Sequence, residues 1–375
     1  NYFDVCMTFL SATFFMTLYK EAGGVNYMVR QIVGRFYKKR ILLLLLLTVV
    51  MMIPGAVTGS GATTVLTVGG LVGSVLAAMG VNEDRRVALI FMLAAMSAAC
   101  PPINLWAMMA AAGANMPYVG FTWPLLILSG VGALFATFYL TRGVRNTKPV
   151  EEVLGTLPEA PGGWNIIRAF VPFVVMIVLI MGARIFPAWW PVFGLPMIFM
   201  LSGLAVLICS PKKVNIMETA MTTVKNLKEL VGIMVVVGVL NQILTLTGAR
   251  GLVSLAVVVL PIGLLFAALW LILPVAEGVL QYAVAPLFGV PLIMLFNMLG
   301  YNAVMALSCW SVMWPVGDCL PPTAVVGRAS VMEMNYKGNY YKGFVKNALV
   351  PMLVVLALCT ITMIFNKPIG SFLGV

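Results

Sequence analysis

Histidine is absent from this chain of 375 residues, and charge is scarce. Asp, Glu, Lys and Arg make up 9% of the residues, against about one quarter in an ordinary soluble domain. Hydrophobic residues reach 62% and mean hydropathy is +1.04, so the polar surface needed by a water-soluble protein is missing. The lack of histidine removes the commonest metal ligand and the usual proton relay. Nothing resembles a Walker loop, a zinc site or a Ser-based triad, and without a clustered catalytic set no enzyme is expected. Cys6, Cys100, Cys209, Cys309, Cys319 and Cys359 all lie in apolar stretches without C-x-x-C spacing, which excludes a disulfide framework. A signal-peptide n-region is lacking too, and the chain opens at Asn1 without Met. That start reads as one missing its true N-terminus.

What is present is a series of long apolar runs. Ile41 to Asn82 and Val87 to Thr141 carry no charge, and Gly251 to Gly327 holds only Glu277 and Asp318. A membrane helix needs about 20 apolar residues, so these runs predict an all-α polytopic membrane protein embedded in a lipid bilayer. The net charge of +11 does not call for nucleic acid, because the basic residues sit in short connectors. They cluster at Arg30 to Arg40, Arg85 and Arg86, Arg142 to Lys148, Lys212 to Lys228, and Lys337 to Lys346, whereas Gly113 to Trp123 and Leu299 to Asn302 are uncharged. Basic connectors stay on the cytoplasmic side.

This asymmetry orients the segments. Phe3 to Tyr19 enters the cytoplasm, and Val25 to Tyr37 is an amphipathic arm at the inner surface. Ile41 to Gly80 has basic residues on both flanks, which predicts a re-entrant hairpin turning near Val57 to Ala62. Val87 to Asn115 crosses outward but is broken at Cys100-Pro101-Pro102, since two prolines remove helix hydrogen bonds. Phe121 to Leu140 returns. The expected organisation is a first repeat over 1–140, a cytoplasmic linker over 141–165, and a second repeat over 166–375. Within the last, Ile166 to Ile185 and Pro191 to Cys209 cross, Lys213 to Glu229 forms a second arm, and Val231 to Leu246 crosses outward.

A shift of 220 residues places Ile53-Pro54 on Leu273-Pro274, Gly80-Val81-Asn82 on Gly300-Tyr301-Asn302, and Pro101-Pro102 on Pro321-Pro322, with no gap between the anchors. The second copy is expected to contain a hairpin over Ile262 to Met298 and a broken helix over Asn302 to Ser330. The charge pattern gives the copies opposite orientations, the inverted-repeat plan of secondary transporters.

Breaks inside a membrane expose carbonyls and amides that protein, water or a ligand must satisfy. Four are expected to converge: Thr58 to Ala62, Cys100 to Ile103, Ala276 to Gln281 and Gly317 to Thr323. Carbonyls there suit Na⁺, and half-helix N-termini favour an anion. The candidate cation-binding residues are Thr58, Gly59, Ser60, Gly61 and Cys100 in the first repeat, and Ala276, Glu277, Gly278, Gly317, Asp318 and Cys319 in the second. The candidate substrate-binding residues are Ser60, Thr63, Thr64, Asn104, Gln281, Thr323 and Arg328. The hydroxyl cluster also reads as helix packing. Glu277 and Asp318 are costly in a membrane and functional by default, as cation ligands, as proton carriers, or as caps of half-helices.

The runs Thr58-Gly59-Ser60-Gly61-Ala62-Thr63-Thr64, Met79-Gly80-Val81 and Cys100-Pro101-Pro102-Ile103 resemble the first half of the large membrane subunit of TRAP transporters. Ala285-Pro286-Leu287, Leu299-Gly300-Tyr301 and Pro321-Pro322-Thr323 are similar to its second half, with Glu277 where that family commonly has Asp. Cys100, Asn104 and Asp318 depart from its pattern. The resemblance implies an elevator fold in a bacterial inner membrane and import of an organic acid (C4-dicarboxylate, keto acid or sialic acid) by symport with Na⁺, or H⁺ instead. It also implies a small four-helix membrane subunit and a periplasmic substrate-binding protein. The rivals are a carrier needing no binding protein and a structural subunit of a membrane complex.

Overall fold

The computed structural model describes residues 2–144, 148–186, 189–191, 193–248 and 261–374, and among them there are helices, turns and coil but no strand. Arg145, within the basic cluster Arg142 to Lys148, and the start of the charge-poor run Gly251 to Gly327 lie outside the described residues. Among the described residues, five segments are long and apolar enough to cross a membrane: Arg40–Thr58, Gly61–Ala78, Thr122–Leu140, Gly263–Ala283 and Tyr340–Ile364.

One group of helices forms a scaffold. Tyr2–Glu21 packs on Leu195–Cys209 and Ile216–Leu246, and Ile166–Ile185 packs on Leu195–Cys209. Aromatic edges lock the seam, with ring centroids 4.9 Å apart for Tyr19 and Phe173 and 5.6 Å apart for Phe15 and Phe173. The Tyr19 hydroxyl donates to the Ala169 carbonyl at 2.9 Å. Away from the seam, Ile167, Val174 and Ile177 are exposed, as lipid-facing side chains must be. The expected arm over Lys213 to Glu229 and crossing over Val231 to Leu246 are instead one continuous helix, Ile216–Leu246. No proline interrupts it, and Gly232 and Gly238 cost only about 1 kcal/mol each.

The first arm is the helix Gly24–Phe36, whose buried Val25, Met28, Val29 and Val33 recur at helical spacing. Its Arg30 donates to the Leu154 and Leu157 carbonyls at 2.9 and 2.8 Å, capping the short helix Val150–Thr156 inside the linker. Trp164 Nε1 donates to the Ala22 carbonyl at 2.9 Å. The linker is thus packed against the arm rather than a bare tether.

The core is built on two broken helices. The first comprises Glu83–Ala99 and Leu105–Gly113, the second Ala303–Met313 and Val325–Glu333. Arg40–Thr58 runs parallel to Glu83–Ala99, since Gly55 meets Ser97, and the chain then turns at Gly59 (φ 69°). Gly61–Ala78 returns antiparallel along the same helix, with Gly61 against Ala94 and Gly69 against Ile90. The second hairpin does likewise: Pro274 meets Gly317 on the way in, and Gly289 meets Trp314 on the way back.

Local details recur at the offset of 220. Both returning limbs contain a π-helical turn, Val65–Gly69 and Ala285–Gly289. Gly80 and Gly300, then Asn115 and Asn335, adopt positive φ at helix ends, each followed by a bond back to the carbonyl five residues earlier, the Schellman closure. Asn82 and Asn302 cap the broken helices, and both Pro-Pro bonds are cis. The two broken helices are antiparallel: the first segment of each packs on the last segment of the other. Arg40 and Arg85 donate to the Thr141 and Arg142 carbonyls, and Tyr336 donates to Asp84 at 2.5 Å. The basic connectors Lys39–Arg40, Arg85–Arg86, Arg142 and Lys337 therefore meet at one end of the molecule. Burial, and then the Asp84 carboxylate, raise the pKa of the Tyr336 phenol, so it remains a donor there.

Candidate functional site

The hairpin tips and the breaks close on one another. At the first pair, the Ile103 amide donates to the Ala56 carbonyl at 3.0 Å. At the second, the Thr323 amide and hydroxyl both donate to the Gly278 carbonyl, at 3.1 and 2.8 Å. The two pairs are joined through Trp106 and Tyr282, whose rings lie 4.8 Å apart. Trp106 Nε1 donates to Glu277 Oε2 at 2.8 Å, and the Tyr282 hydroxyl lies 3.4 Å from the Gly59 carbonyl.

A cavity of about 250 Å³ opens where this junction faces the scaffold. Ser60, Thr63 and Thr67 line it from the first hairpin, Gln281 and Tyr282 from the second tip, and Asp318 from the second break. Thr13, Thr17 and Lys20 of the first helix and Thr222 of Ile216–Leu246 form the facing wall. Glu277 stands behind the cavity, fully buried, close enough to Asp318 for their charges to interact. Its second oxygen, Oε1, has no hydrogen-bond partner among the described residues. A buried carboxylate oxygen left without a donor is costly and is suited to a cation or a proton.

Several predicted residues are already committed. Thr58 Oγ1 donates to the Pro54 carbonyl at 2.7 Å, and Thr64 pairs with Ser97 at 2.7 Å. The Gly59 and Gly61 positions are close approaches, where a Cβ would lie 2.6 Å from Leu105 and 2.9 Å from Val326. Cys100 is buried beside Ser129, off the cavity. The Gly317, Asp318 and Cys319 carbonyls each accept a bond already, from Leu320, Gly327 and Tyr340. Arg328 is exposed, lies off the cavity and donates to the Pro322 carbonyl at 2.7 Å.

The second tip is misplaced in the sequence reading. The helix Ile262–Leu280 runs through Ala276, Glu277 and Gly278, and the break falls at Gln281 (φ 51°) and the 3₁₀ turn Gln281–Ala283. The sequence places the break over Ala276 to Gln281, but the incoming limb stays helical to Leu280, held by its packing on the second break. The structure adds Thr13, Thr17, Lys20, Thr67, Trp106, Thr222 and Tyr282. For the first helix the signal was available: polar residues at 13, 17 and 20 fall on one helical face.

Asn104 bridges the first break. Its Oδ1 accepts from the Ala107 amide and its Nδ2 donates to the Ala99 carbonyl, both at 2.9 Å, with the side chain fully buried. Asn104→Leu removes a cap and strands two backbone groups, so a loss of about 2–4 kcal/mol is expected. A fall in unfolding temperature in detergent, with no selective change in solute affinity, would show that this residue holds the break rather than the solute.

No family model and no curated protein sequence matches this chain. Among solved structures, the Alcanivorax borkumensis YdaH transporter, described as having an unusual topology, is similar over 96% of this chain and 85% of its own, with a TM-score of 0.67 and 11% identity. At that identity the likeness establishes the fold alone, a polytopic all-helical membrane fold similar to that of the YdaH transporter.

Proposed function

We propose that the chain is a secondary active transporter subunit importing a small organic acid of the C4-dicarboxylate, keto-acid or sialic-acid type with Na⁺, by an elevator movement of the core against the scaffold. The observation that carries this reading is the cavity at the boundary between them, lined by both hairpin tips and the Asp318 carboxylate. A site on that boundary changes its access when one body slides on the other, as alternating access requires. Glu277 Oε1, which has no donor among the described residues, and the nearby Asp318 at the cavity wall offer oxygens to a cation, and a cation there offsets the repulsion between two buried acids. Ser60, Thr63 and Gln281 supply neutral polar contacts to the solute.

The short motifs that resemble the TRAP large subunit support a bacterial inner-membrane setting, a four-helix partner and a periplasmic binding protein. Radiolabelled uptake into proteoliposomes tests the reading. An inward Na⁺ gradient should drive accumulation of one of these acids. Uptake indifferent to Na⁺ would end sodium coupling; uptake driven by a pH gradient would select the proton. Reconstituting the chain alone, with and without periplasmic extract, separates a dependent subunit from a self-sufficient carrier.

A further inference from the structure

The first helix reads as a plain lipid crossing, yet one of its faces is polar. Thr13, Thr17 and Lys20 follow at helical spacing, one turn after Phe9, and all four line the cavity. Thr17 spends its hydroxyl on the Thr13 carbonyl at 2.8 Å. Thr13 itself is 4% exposed, and its Oγ1 has no hydrogen-bond partner among the described residues. Lys20 is the one basic residue among the described lining residues, and no described acid lies within ion-pair distance of it. Its Nζ donates instead to the Leu66 carbonyl at 2.9 Å. Leu66 belongs to the π-helical turn Val65–Gly69 of the first hairpin, so this bond ties scaffold to core at the edge of the cavity.

A carboxylate is a better acceptor for an ammonium than a neutral carbonyl, by a factor of about two in bond strength. The free Thr13 hydroxyl can donate to the same anion. On the premise that the chain carries an organic acid, we infer that Lys20, assisted by Thr13, binds the solute's carboxylate, and that moving the ammonium from Leu66 to the solute releases the first hairpin from the scaffold. Loading and freedom of the core to move are then one event. A neutral solute of the same shape leaves the Lys20–Leu66 bond in place. Arg328, engaged outside the cavity, has no part in this.

The test uses the full chain in detergent, with succinate, pyruvate and sialic acid each compared with its neutral amide. Solute-induced thermal shift reads affinity, and hydrogen exchange over the first hairpin reads release. The wild type should prefer an acid over its amide by at least about tenfold, the size of one charge-assisted hydrogen bond, and that acid should raise exchange near Leu66. Lys20→Gln should erase the preference and show raised exchange without solute, Lys20→Arg should retain most of the preference, and Thr13→Val should weaken it several-fold. Lys20→Met serves as a second neutral variant if the Gln protein folds poorly. Undiminished acid preference in both neutral variants refutes the inference while the transport reading stands. A lost preference with unchanged exchange refutes the release step. If the wild type binds none of these acids, the organic-acid reading fails and takes this inference with it.

Discussion

Gly317→Ala is expected to abolish properly folded protein. A Cβ on Gly317 would lie 1.9 Å from the Pro274 carbonyl oxygen and 2.5 Å from its carbon. Both are backbone atoms of the incoming limb of the second hairpin, so no side-chain rotation relieves the overlap. The limb must move away from the second break, which strips packing from the most buried part of the core. Overpacking usually costs about 1–3 kcal/mol; here the obstacle is main chain on both sides, and a loss above about 4 kcal/mol is expected. Size-exclusion profiles and thermal unfolding in detergent read the result. Gly130→Ala is the control, because nothing lies within 4 Å of a Cβ there, and its effect should stay within about 0.5 kcal/mol. A monodisperse Gly317→Ala protein with the wild-type unfolding temperature would mean that limb and break do not touch as described.

The second large effect is on transport rather than folding. Glu277→Gln and Asp318→Asn should each reduce uptake by about 100-fold or more while leaving yield unchanged. Gln keeps an oxygen to accept from Trp106 Nε1 and fills the same space, so the packing of Glu277 survives. What disappears is the negative charge beside an oxygen that has no donor of its own. Losing one partner of a desolvated charge interaction costs about 2–5 kcal/mol, which translates into roughly 30-fold to 4,000-fold weaker cation binding. Na⁺-dependent thermal stabilisation should fall in parallel. Full uptake with unaltered Na⁺ dependence in both variants would reduce these carboxyls to structural caps.

Much of the architecture was visible before any coordinates. Both prolines of each Pro-Pro pair, the glycines at 80 and 300 and the asparagines at 82 and 302 act through local backbone chemistry, so their spacing marks helix ends wherever the chain is read. The first tip was legible for the same reason, since Thr58-Gly59-Ser60-Gly61 combines a left-handed turn with an N-cap. The second tip was not. Pro274, Glu277 and Gly278 look like an end, and only the packing of that limb against the second break carries the helix on to Leu280. The separation of arm and crossing over 213–246 fell to a similar cause, because a change from charged to apolar composition does not by itself stop a helix.

The site divides along the same line. Two isolated acids in a charge-free stretch stand out because burying charge in a membrane is expensive, so Glu277 and Asp318 could be singled out from the sequence. That Trp106 of the first broken helix would hold one of them, that Asn104 and Thr64 would be spent on the fold, and that Arg328 would lie off the cavity depended on how the chain packs in three dimensions. Lys20 shows the difference most plainly. By itself the sequence determined the membrane habit, the positions of most breaks and the two buried acids, since these follow from hydropathy, charge cost and local backbone geometry. Only the tertiary structure decided which polar groups remain free to meet a ligand, because that depends on which of them the fold has already satisfied.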